Sequence, residues 1–352
     1  MQEYALTRLS SAGGCAAKIE PGVLQHILDR LNIAAPDESL HMSQREDVGI
    51  TSIPAGLTQL VQSVDTITPV SDDPHTFGAI AAAHALSDLY AKGAAPLAGL
   101  LMLSLPSLLV PAEIASAILQ GAIDKLHEAG ASFLGGHTIA SQELQLGLAV
   151  TGMLSRPLIS KAASQPSDLL VLTKPLGTGI VITALKSQHA GFAIDDFTSE
   201  SVASATSQML TLNAQAAQAL REVPVHACTD VSGFGLLGHL NEMLMPAGLS
   251  ACIHLRSVPL IPGVARLAEL DILSAGGERN AAFLWSNCSF ARTISYAQKM
   301  LLFDPQTSGG LLISVAPDQV DLLMKELQRR QVEASIIGQV SQRDARTIEV
   351  VE

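Results

Sequence analysis

Residues 226–245 read HACTDVSGFGLLGHLNEMLM, and this stretch decides the fold class. A short apolar strand ends at Asp230, a glycine-rich entry follows, and a helix then runs to Met245. Strand and helix patterns of this kind alternate along the chain without a short repeat. Because they are mixed irregularly, the sequence predicts an α+β fold rather than a regular doubly wound sheet.

Further elements are predicted on both sides of this segment. The strands are predicted at 60–65, 97–105, 133–136, 146–154, 169–173 and 310–315, and the helices at 77–91, 112–129, 199–221 and 319–330. Another helix follows Gly177, and two strands close the chain. The polar stretch 155–168 contains Pro157 and Pro166, and it is therefore predicted to link two domains.

Length, composition and charge limit the function classes. The 352 residues suffice for two domains or one large one. Hydrophobic residues make up 48% and aromatic residues only 3%, so the core is built mainly of Ala, Leu, Val and Ile. The net charge is -12 and no block of lysine and arginine occurs, which argues against nucleic acid as the main partner. An acidic protein that binds a polyanionic nucleotide needs metal ions between the two.

Cysteine usage and hydropathy bear on the compartment. Cys15, Cys228, Cys252 and Cys288 lie far apart and form no Cys-x-x-Cys pair, which disfavours a structural zinc site and a disulfide framework. The first residues have no basic segment followed by an apolar one, so no signal peptide is expected. The uncharged stretch 93–112 is interrupted by prolines and predicts a strand, a turn and a helix start rather than a membrane span. We therefore expect a cytoplasmic protein with no membrane partner.

A run of small residues near the start, AGGCAAKI at 12–19, carries one thiol and one amine. Glycine and alanine leave the backbone open, so Cys15 would be reachable there. Lys18 could favour the thiolate or hold a phosphate group. The alternative interpretation is a flexible terminus with an incidental cysteine and lysine.

Four aspartates stand at strand ends, at glycine turns or on an apolar helix: Asp47, Asp65, Asp88 and Asp230. Magnesium prefers carboxylate, water and phosphate oxygens, so acids that converge on a nucleotide would hold its metal ions. Each aspartate alone is also typical of a helix cap or a turn. Asp88 is harder to explain in that way, because an unpaired acid on an apolar helix is costly.

Two glycine-containing turns are further candidates. The segment GGHT at 135–138 follows a strand, and its backbone amides could cradle phosphate, although a simple turn is an equally good explanation. The segment DPQTSGG at 304–310 is a polar turn that could position the chain rather than react. His84 and His137 could transfer protons, or each could be a structural histidine. The sequence contains neither a Walker lysine motif nor a Gly-x-Gly-x-x-Gly helix entry, so a bound nucleotide would need another type of site.

Taken together and in this order, several segments resemble the selenophosphate synthetase (selenide, water dikinase) family over nearly the whole chain. The matching segments are GCAAK (14–18), RED (45–47), DDPHTFG (72–78), ALSDLYA (85–91), GGHT (135–138), TKPLG (173–177), TDVSGFGLLGHL (229–240), ERN (278–280) and DPQTSGG (304–310). The family's reaction converts ATP, selenide and water into selenophosphate, AMP and phosphate. The resemblance therefore implies an enzyme that uses ATP and Mg²⁺.

The resemblance also implies an α+β architecture of the aminoimidazole ribotide synthetase type. Its parts would be a glycine- and alanine-rich catalytic loop at 1–20, an N-terminal ATP-binding domain at 21–156 and a C-terminal α/β sandwich domain at 168–352. In this family type, two N-terminal domains pair into a shared β-barrel. The resemblance thus predicts a homodimer.

Residue roles carried over from the resemblance fall into three groups. Cys15 would receive or protect the selenium nucleophile, and Lys18 would bind phosphate. The predicted magnesium ligands are Asp47, Asp88 and Asp230. The predicted nucleotide contacts, besides Lys18, are Gln44, Arg45, Glu46, Asp65, Asp88, Gly136, His137 and Thr138, with the last three able to reach the pocket from a partner subunit.

The chain departs from the commonest family pattern at several positions around the expected nucleotide site. Ala17 stands where many relatives have a second cysteine, and Thr66, His84 and Lys92 also replace more frequent residues. Two other functions stay open at this stage: a sibling kinase or synthetase that acts on another small substrate, and a nucleotide-binding paralogue without catalysis. The pair of Cys15 and Lys18 favours the selenide-dependent enzyme over the siblings, which have no need of it.

Overall fold

The computed structural model describes residues 49–51, 59–106, 110–194, 197–342 and 346–352. Within these ranges, two β-sheets carry helices packed against them. Each sheet belongs to one half of the chain, and residues 155–168 run between them. The mixture of strands and helices agrees with the predicted α+β class.

The first sheet consists of five strands in the order β1-β2-β5-β3-β4. Its strands are β1 Gly49–Thr51, β2 Gln59–Ile67, β3 Ala95–Leu105, β4 Ser132–Ala140 and β5 Gln145–Leu154. All neighbours are antiparallel except β3 and β4, which are parallel. Helices α1 (Pro74–Ala91) and α2 (Ala112–Glu128) pack against it. In the described part of one chain this sheet is open, with β1 and β4 at its edges.

Helix α1 lies at the centre of this half and is buried from Phe77 to Ala91. It begins with Pro74, and the Asp73 side chain accepts a hydrogen bond from the backbone N–H of Thr76 at 2.7 Å. Its contact with α2 is unusually close, because a Cβ atom on Gly78 would lie 1.8 Å from the Ile118 carbonyl oxygen. Only glycine permits this approach of the two helices.

The second sheet consists of seven strands in the order β7-β10-β6-β11-β8-β12-β9. Its strands are β6 Leu169–Leu172, β7 Ala227–Asp230, β8 Ser250–His254, β9 Cys288–Phe290, β10 Leu311–Val315, β11 Ser335–Ser341 and β12 Ile348–Val351. Its helices are α3 Thr178–His189, α4 Ser199–Leu210, α5 Ala214–Glu222, α6 Gly235–Leu244, α7 Val264–Glu269, α8 Ala275–Leu284, α9 Tyr296–Phe303 and α10 Val320–Arg329. Strand β12 is parallel to both of its neighbours, and the other pairs are antiparallel.

Helices cover both faces of the second sheet. On β10, Leu312 belongs to an apolar cluster with residues of α6, α8 and α9, whereas Leu311 and Ile313 belong to another with residues of α5 and α10. Successive side chains of a strand point to opposite faces, so this division shows a helix layer on each side. Every residue of β10 is buried, as expected for a central strand with both faces covered.

The two halves share one apolar core at their junction. The cluster that contains α1 and the first sheet also contains Ile180 of α3, Met209 of α4 and Leu267 of α7. Helix α1 packs against α4 and β7 of the second half as well as against its own sheet. The junction is therefore built around α1.

One predicted helix is wrong in its extent. The sequence predicts a single helix over 199–221, but the structure has two, α4 and α5, separated at Thr211 and Asn213. Thr211 adopts an extended conformation (φ -71, ψ 119), and neither glycine nor proline marks the break. The break lets the Asn213 side chain donate hydrogen bonds to Ser87 and Gly309. In a continuous helix Asn213 would have a different position and direction.

The stretch 93–112 contains β3 and the first residue of α2, as predicted. Within the described ranges, every helix is either too short or too polar to span a bilayer. Strands β8 and β9 and helices α7, α8 and α9 were not predicted from the sequence.

Candidate active site

Three polar side chains lie on one face of the otherwise apolar helix α1. His84, Ser87 and Asp88 are spaced three and four residues apart, so they share a face. All three are buried, with Asp88 only 8% exposed. Each of them contacts a polar group from another element, which explains why an apolar helix tolerates them.

The predicted nucleotide residues Asp65 and Asp88 are brought together by the pairing of α1 with β2. The Ser63 hydroxyl donates a hydrogen bond to the Asp88 carboxylate, and Asp65 Oδ1 lies 3.7 Å from His84 Nε2. Ser63 and Asp65 are two residues apart on the strand and point to the same side. The two predicted acids therefore belong to one polar cluster between β2 and α1.

Asp230 approaches the same junction from the second sheet. It is the last residue of β7 and is 2% exposed. The next residue, Val231, donates its N–H to the Gly310 carbonyl at 2.8 Å, which joins the strand end to the 304–310 turn. Strand β7 packs against α1, the helix that carries Asp88. Asp230, at the end of β7, therefore lies on an element that contacts this helix.

The 304–310 turn connects the second half of the chain with α1. The Ser308 N–H donates to His84 Nδ1 at 3.2 Å. The Asn213 side-chain amide donates to Ser87 Oγ at 2.9 Å and to the Gly309 carbonyl at 2.8 Å. The turn thus contacts the polar face of α1 directly and through Asn213.

Lys174 fixes the opposite side of the turn. Its ammonium group donates at 2.6–3.0 Å to the backbone carbonyl oxygens of Gln208, Thr211 and Ser308. Burial lowers the pKa of Lys174 to about 7, and the charge of Asp230 opposes this shift. The charges of Lys174 and Asp230 therefore attract each other.

The start of the turn is held at the N-terminus of α3. Gln306 Oε1 accepts hydrogen bonds from the backbone N–H groups of Gly177 and Thr178, at 2.9 Å and 3.1 Å. The Asp304 carboxylate accepts from Ile180 N–H at 3.2 Å and from the Ser274 hydroxyl at 2.7 Å. These bonds satisfy first-turn donors of α3 with side chains from a distant segment. Burial nevertheless raises the pKa of Asp304 to about 7.

The segment 136–138 lies in another part of the first sheet. It belongs to β4, which is three strands away from β2 in the sheet order, or roughly 14 Å at the usual strand spacing. His137 is exposed, and a Cβ atom on Gly136 would lie 1.9 Å from the Leu101 carbonyl oxygen. The glycine at 136 thus has a packing reason, and one chain alone does not bring this segment to the cluster of Asp65 and Asp88.

Several predicted site residues lie outside the described ranges, and the structure gives no placement for them. These residues are Cys15, Lys18, Gln44, Arg45, Glu46 and Asp47. Among the residues with a described placement, no group of three histidine, cysteine, aspartate or glutamate side chains could hold a metal ion. The predicted magnesium set includes Asp47, so it is not tested by that result.

The sequence did not predict roles for Ser63, Lys174 and Asn213. Lys174 lies in the quoted segment TKPLG, directly after a strand, and that position was the available indication. Asn213 was hidden inside a helix that was predicted to be continuous. Ser63 is an ordinary polar residue of a strand, and its role becomes evident from the hydrogen bond that it donates to Asp88.

Two family models match the chain. Residues 45–154 match the N-terminal domain of AIR synthase related proteins, and residues 165–351 match the C-terminal domain of the same group. Solved structures with the same fold include thiamine-monophosphate kinase from Stenotrophomonas maltophilia, with a TM-score of 0.66 at 22% identity over 88% of this chain and 92% of that one. The E. coli hydrogenase maturation protein HypE aligns with a TM-score of 0.64 at 19% identity, covering 93% of each chain. These likenesses confirm the two-domain fold of the aminoimidazole ribotide synthetase type.

Curated relatives are much closer in sequence. The chain is 39% identical over 338 residues to selenide, water dikinase of Pelobacter propionicus, and the match covers 95% of both chains. It is 41% identical to the enzyme of the same name from Geobacter sp., again over 95% of both chains. The match to the one from Caldanaerobacter subterraneus is 38% identical and covers 97% of both. The family resemblance derived from the motifs is thereby confirmed: this chain belongs to the selenide, water dikinase family.

Proposed function

We propose that this chain synthesises selenophosphate from ATP, selenide and water and releases AMP and phosphate. The observation that carries the proposal is the near-complete match, at about 40% identity, to relatives named selenide, water dikinase. The buried acids at the domain junction give a physical basis for it, because phosphoryl transfer depends mostly on positioning and on charge neutralisation. The likeness to sibling kinases under 25% identity concerns the fold alone.

We propose that Mg²⁺ is held by Asp88 and Asp230 together with Asp47. The donor chemistry fits, since carboxylate oxygens are hard ligands of the kind that Mg²⁺ prefers. Asp88 is 8% exposed and Asp230 is 2% exposed, and both lie at the contact of α1 with the second half. Bound Mg²⁺ would neutralise phosphate charge at this place. The protein's part is to keep the two carboxylates fixed, through Ser63 and through the strand end at Val231.

The nucleotide is proposed to occupy the space next to Asp65 and Asp88. Gln44, Arg45 and Glu46 would line it, and Lys18 would bind its phosphate groups. Gly136, His137 and Thr138 would come from a partner subunit, because in one chain they lie three strands away from β2. The site would then be complete only in a dimer.

A homodimer is proposed on the outer face of the first sheet. Side chains of four strands leave apolar surface exposed on the described part of this sheet, among them Val64 (64%), Leu100 (46%), Met102 (42%), Leu134 (63%) and Met153 (38%). Val64 and Leu100 both pair with Ala149 of the strand between them, so they form one row across the sheet. A contiguous apolar face of this kind is typical of an interaction surface. Two such faces would enclose the predicted two-chain barrel.

Selenium chemistry is proposed to depend on Cys15 and Lys18. A thiol next to an amine on a glycine-rich segment would receive or protect the easily oxidised selenide. A reducing cytosol is the proposed compartment, and within the described part of the chain Cys228, Cys252 and Cys288 form no disulfide.

The test is an anaerobic incubation of the full chain with ATP, Mg²⁺ and selenide, followed by phosphorus NMR. We expect selenophosphate and AMP to form only when selenide is present. The Lys18→Ala variant should form no AMP, and Cys15→Ser should lose the selenide-dependent activity while its circular dichroism stays native. Formation of ADP alone, or phosphorylation of another substrate instead of selenide, would overturn the proposal.

A further inference from the structure

His84 is held between two groups of opposite hydrogen-bonding character. The ring is 1% exposed on the buried helix α1. Its Nδ1 atom is 3.2 Å from the backbone nitrogen of Ser308, and its Nε2 atom is 3.7 Å from Asp65 Oδ1. One nitrogen therefore faces an N–H group and the other faces a carboxylate.

This environment decides which nitrogen carries the proton. A backbone N–H can only donate, so Nδ1 must accept and carries no hydrogen. The ring proton is then on Nε2, and it faces the Asp65 carboxylate. An imidazolium ring would place a second N–H against Ser308 and lose that bond, so the arrangement selects the neutral ring.

The Ser308 donor cannot turn away easily. Ser308 has a left-handed backbone conformation (φ 50), and its carbonyl accepts from Lys174 at 2.8 Å. The following carbonyl, on Gly309, accepts from Asn213 at 2.8 Å. With its neighbours fixed in this way, the N–H of Ser308 keeps one direction, and the imidazole ring is oriented by it.

We propose that His84 is a positioning residue for Asp65. The neutral ring takes its orientation from Ser308 and presents Nε2–H to the Asp65 carboxylate. The 304–310 turn of the second half thereby orients, through His84, the Asp65 carboxylate of the first half, on the side where the nucleotide is proposed to bind. At 3.7 Å the contact with Asp65 is a charge–dipole attraction rather than a direct hydrogen bond. The catalytic part of this inference rests on the proposed function, in which Asp65 contacts the nucleotide.

The kinetic test compares His84→Asn with His84→Leu, two side chains of nearly equal size. Asparagine Oδ1 takes the position of Nδ1 and can accept from Ser308, whereas its amide nitrogen takes the position of Cδ2 and donates toward Asp65 over a longer distance than Nε2 does. We expect His84→Asn to keep kcat/KM for ATP within about threefold of the parent, since the acceptor for the Ser308 N–H is retained and a donor still faces the Asp65 side. His84→Leu leaves the Ser308 N–H without its acceptor, and we expect a loss of about tenfold or more, mainly as a higher KM for ATP.

A second histidine at the domain junction provides the matched control. His189 on α3 lies 2.6 Å from Asp72 and is not part of the cluster around Asp65. We expect His189→Asn and His189→Leu to have equal KM values for ATP, close to that of the parent. Equal kinetics of the two His84 variants, or the same KM increase in His189→Leu, would overturn the positioning role.

The protonation state is measured separately on the unmodified chain labelled with 15N-histidine. The signals that vanish in His84→Asn belong to His84, and we expect a bare Nδ1 and a protonated Nε2. A protonated Nδ1 would overturn the inference even if His84→Leu fails to fold. If the parent makes no selenophosphate but the 15N result is as expected, the proposed function fails while the orientation of His84 by Ser308 stands.

Discussion

At the scale of single residues, the acids of the junction differ in how their charge is compensated. Asp88 receives a hydroxyl hydrogen bond from Ser63. The charge of Asp230 partly offsets the fall in the pKa of Lys174 that burial causes. Asp304 receives hydrogen bonds only from neutral donors, and burial raises its pKa to about 7. Asp304 therefore has a structural role at α3, whereas Asp88 and Asp230 are the residues that we propose as ligands of a cation.

The charge of Asp88 can be removed without changing the size of the side chain. In Asp88→Asn, the amide oxygen can still accept from Ser63, but the negative charge is lost. We expect selenophosphate formation to fall by about 100-fold or more, because charge stabilisation of several kcal/mol depends on the metal ligand. The midpoint of thermal unfolding should not fall. Ser63→Ala is the control and should lose much less activity, and full activity of Asp88→Asn would refute the metal role.

The raised pKa of Asp304 predicts a pH dependence of stability. The ordinary pKa of the group is 3.8 and the folded value is about 7, so the folded state binds the proton more tightly than the unfolded state. Its contribution to the free energy of unfolding is complete below about pH 4 and is lost as the pH rises through 7. The urea midpoint of the parent should therefore fall more between pH 5 and pH 7.5 than that of Asp304→Asn. An identical fall in both proteins would contradict the raised pKa.

At the scale of elements, the 304–310 turn depends on the absence of a side chain at Gly309. A Cβ atom there would lie 2.1 Å from the Val231 carbonyl oxygen, directly after Asp230. Since the clash is with backbone, Gly309→Ala should lower the free energy of unfolding by about 2–3 kcal/mol. Gly248→Ala is the control: it has open space around it but a positive φ of 63, and it should cost only about 1 kcal/mol. Urea denaturation measures both, and equal losses would contradict the packing argument.

At the scale of the whole molecule, the first sheet is proposed to be completed by a second copy of the chain. Leu100 lies in the apolar row of its outer face and is 46% exposed in one chain. A charge in an apolar interface is strongly unfavourable, so Leu100→Glu should convert a dimer into a monomer in light scattering. It should also reduce activity if residues 136–138 act across the interface. Leu322→Glu, at a position 47% exposed on α10, should stay dimeric; a dimeric Leu100→Glu would place the interface elsewhere.

Much of the architecture was accessible from local sequence. Helix α1 is predicted by its alanine-rich pattern after Asp73 and Pro74, and Asp65 and Asp230 are correctly predicted near the ends of strands. The family motifs identify the group to which the chain belongs. These features depend on neighbours within a few residues, and backbone preferences and hydrophobic periodicity are properties of such short segments.

Contacts between distant segments were decided only by the tertiary structure. Ser308 and His84 are 224 residues apart, and nothing in either segment predicts that an N–H of one orients the imidazole of the other. The helix break that places Asn213 between Ser87 and Gly309 contains no glycine or proline. It is stabilised instead by the two hydrogen bonds that the Asn213 side chain makes with these distant segments. The separation of residues 136–138 from Asp65 follows from strand order. Local sequence determines which elements form, whereas the packing of those elements determines which polar groups meet.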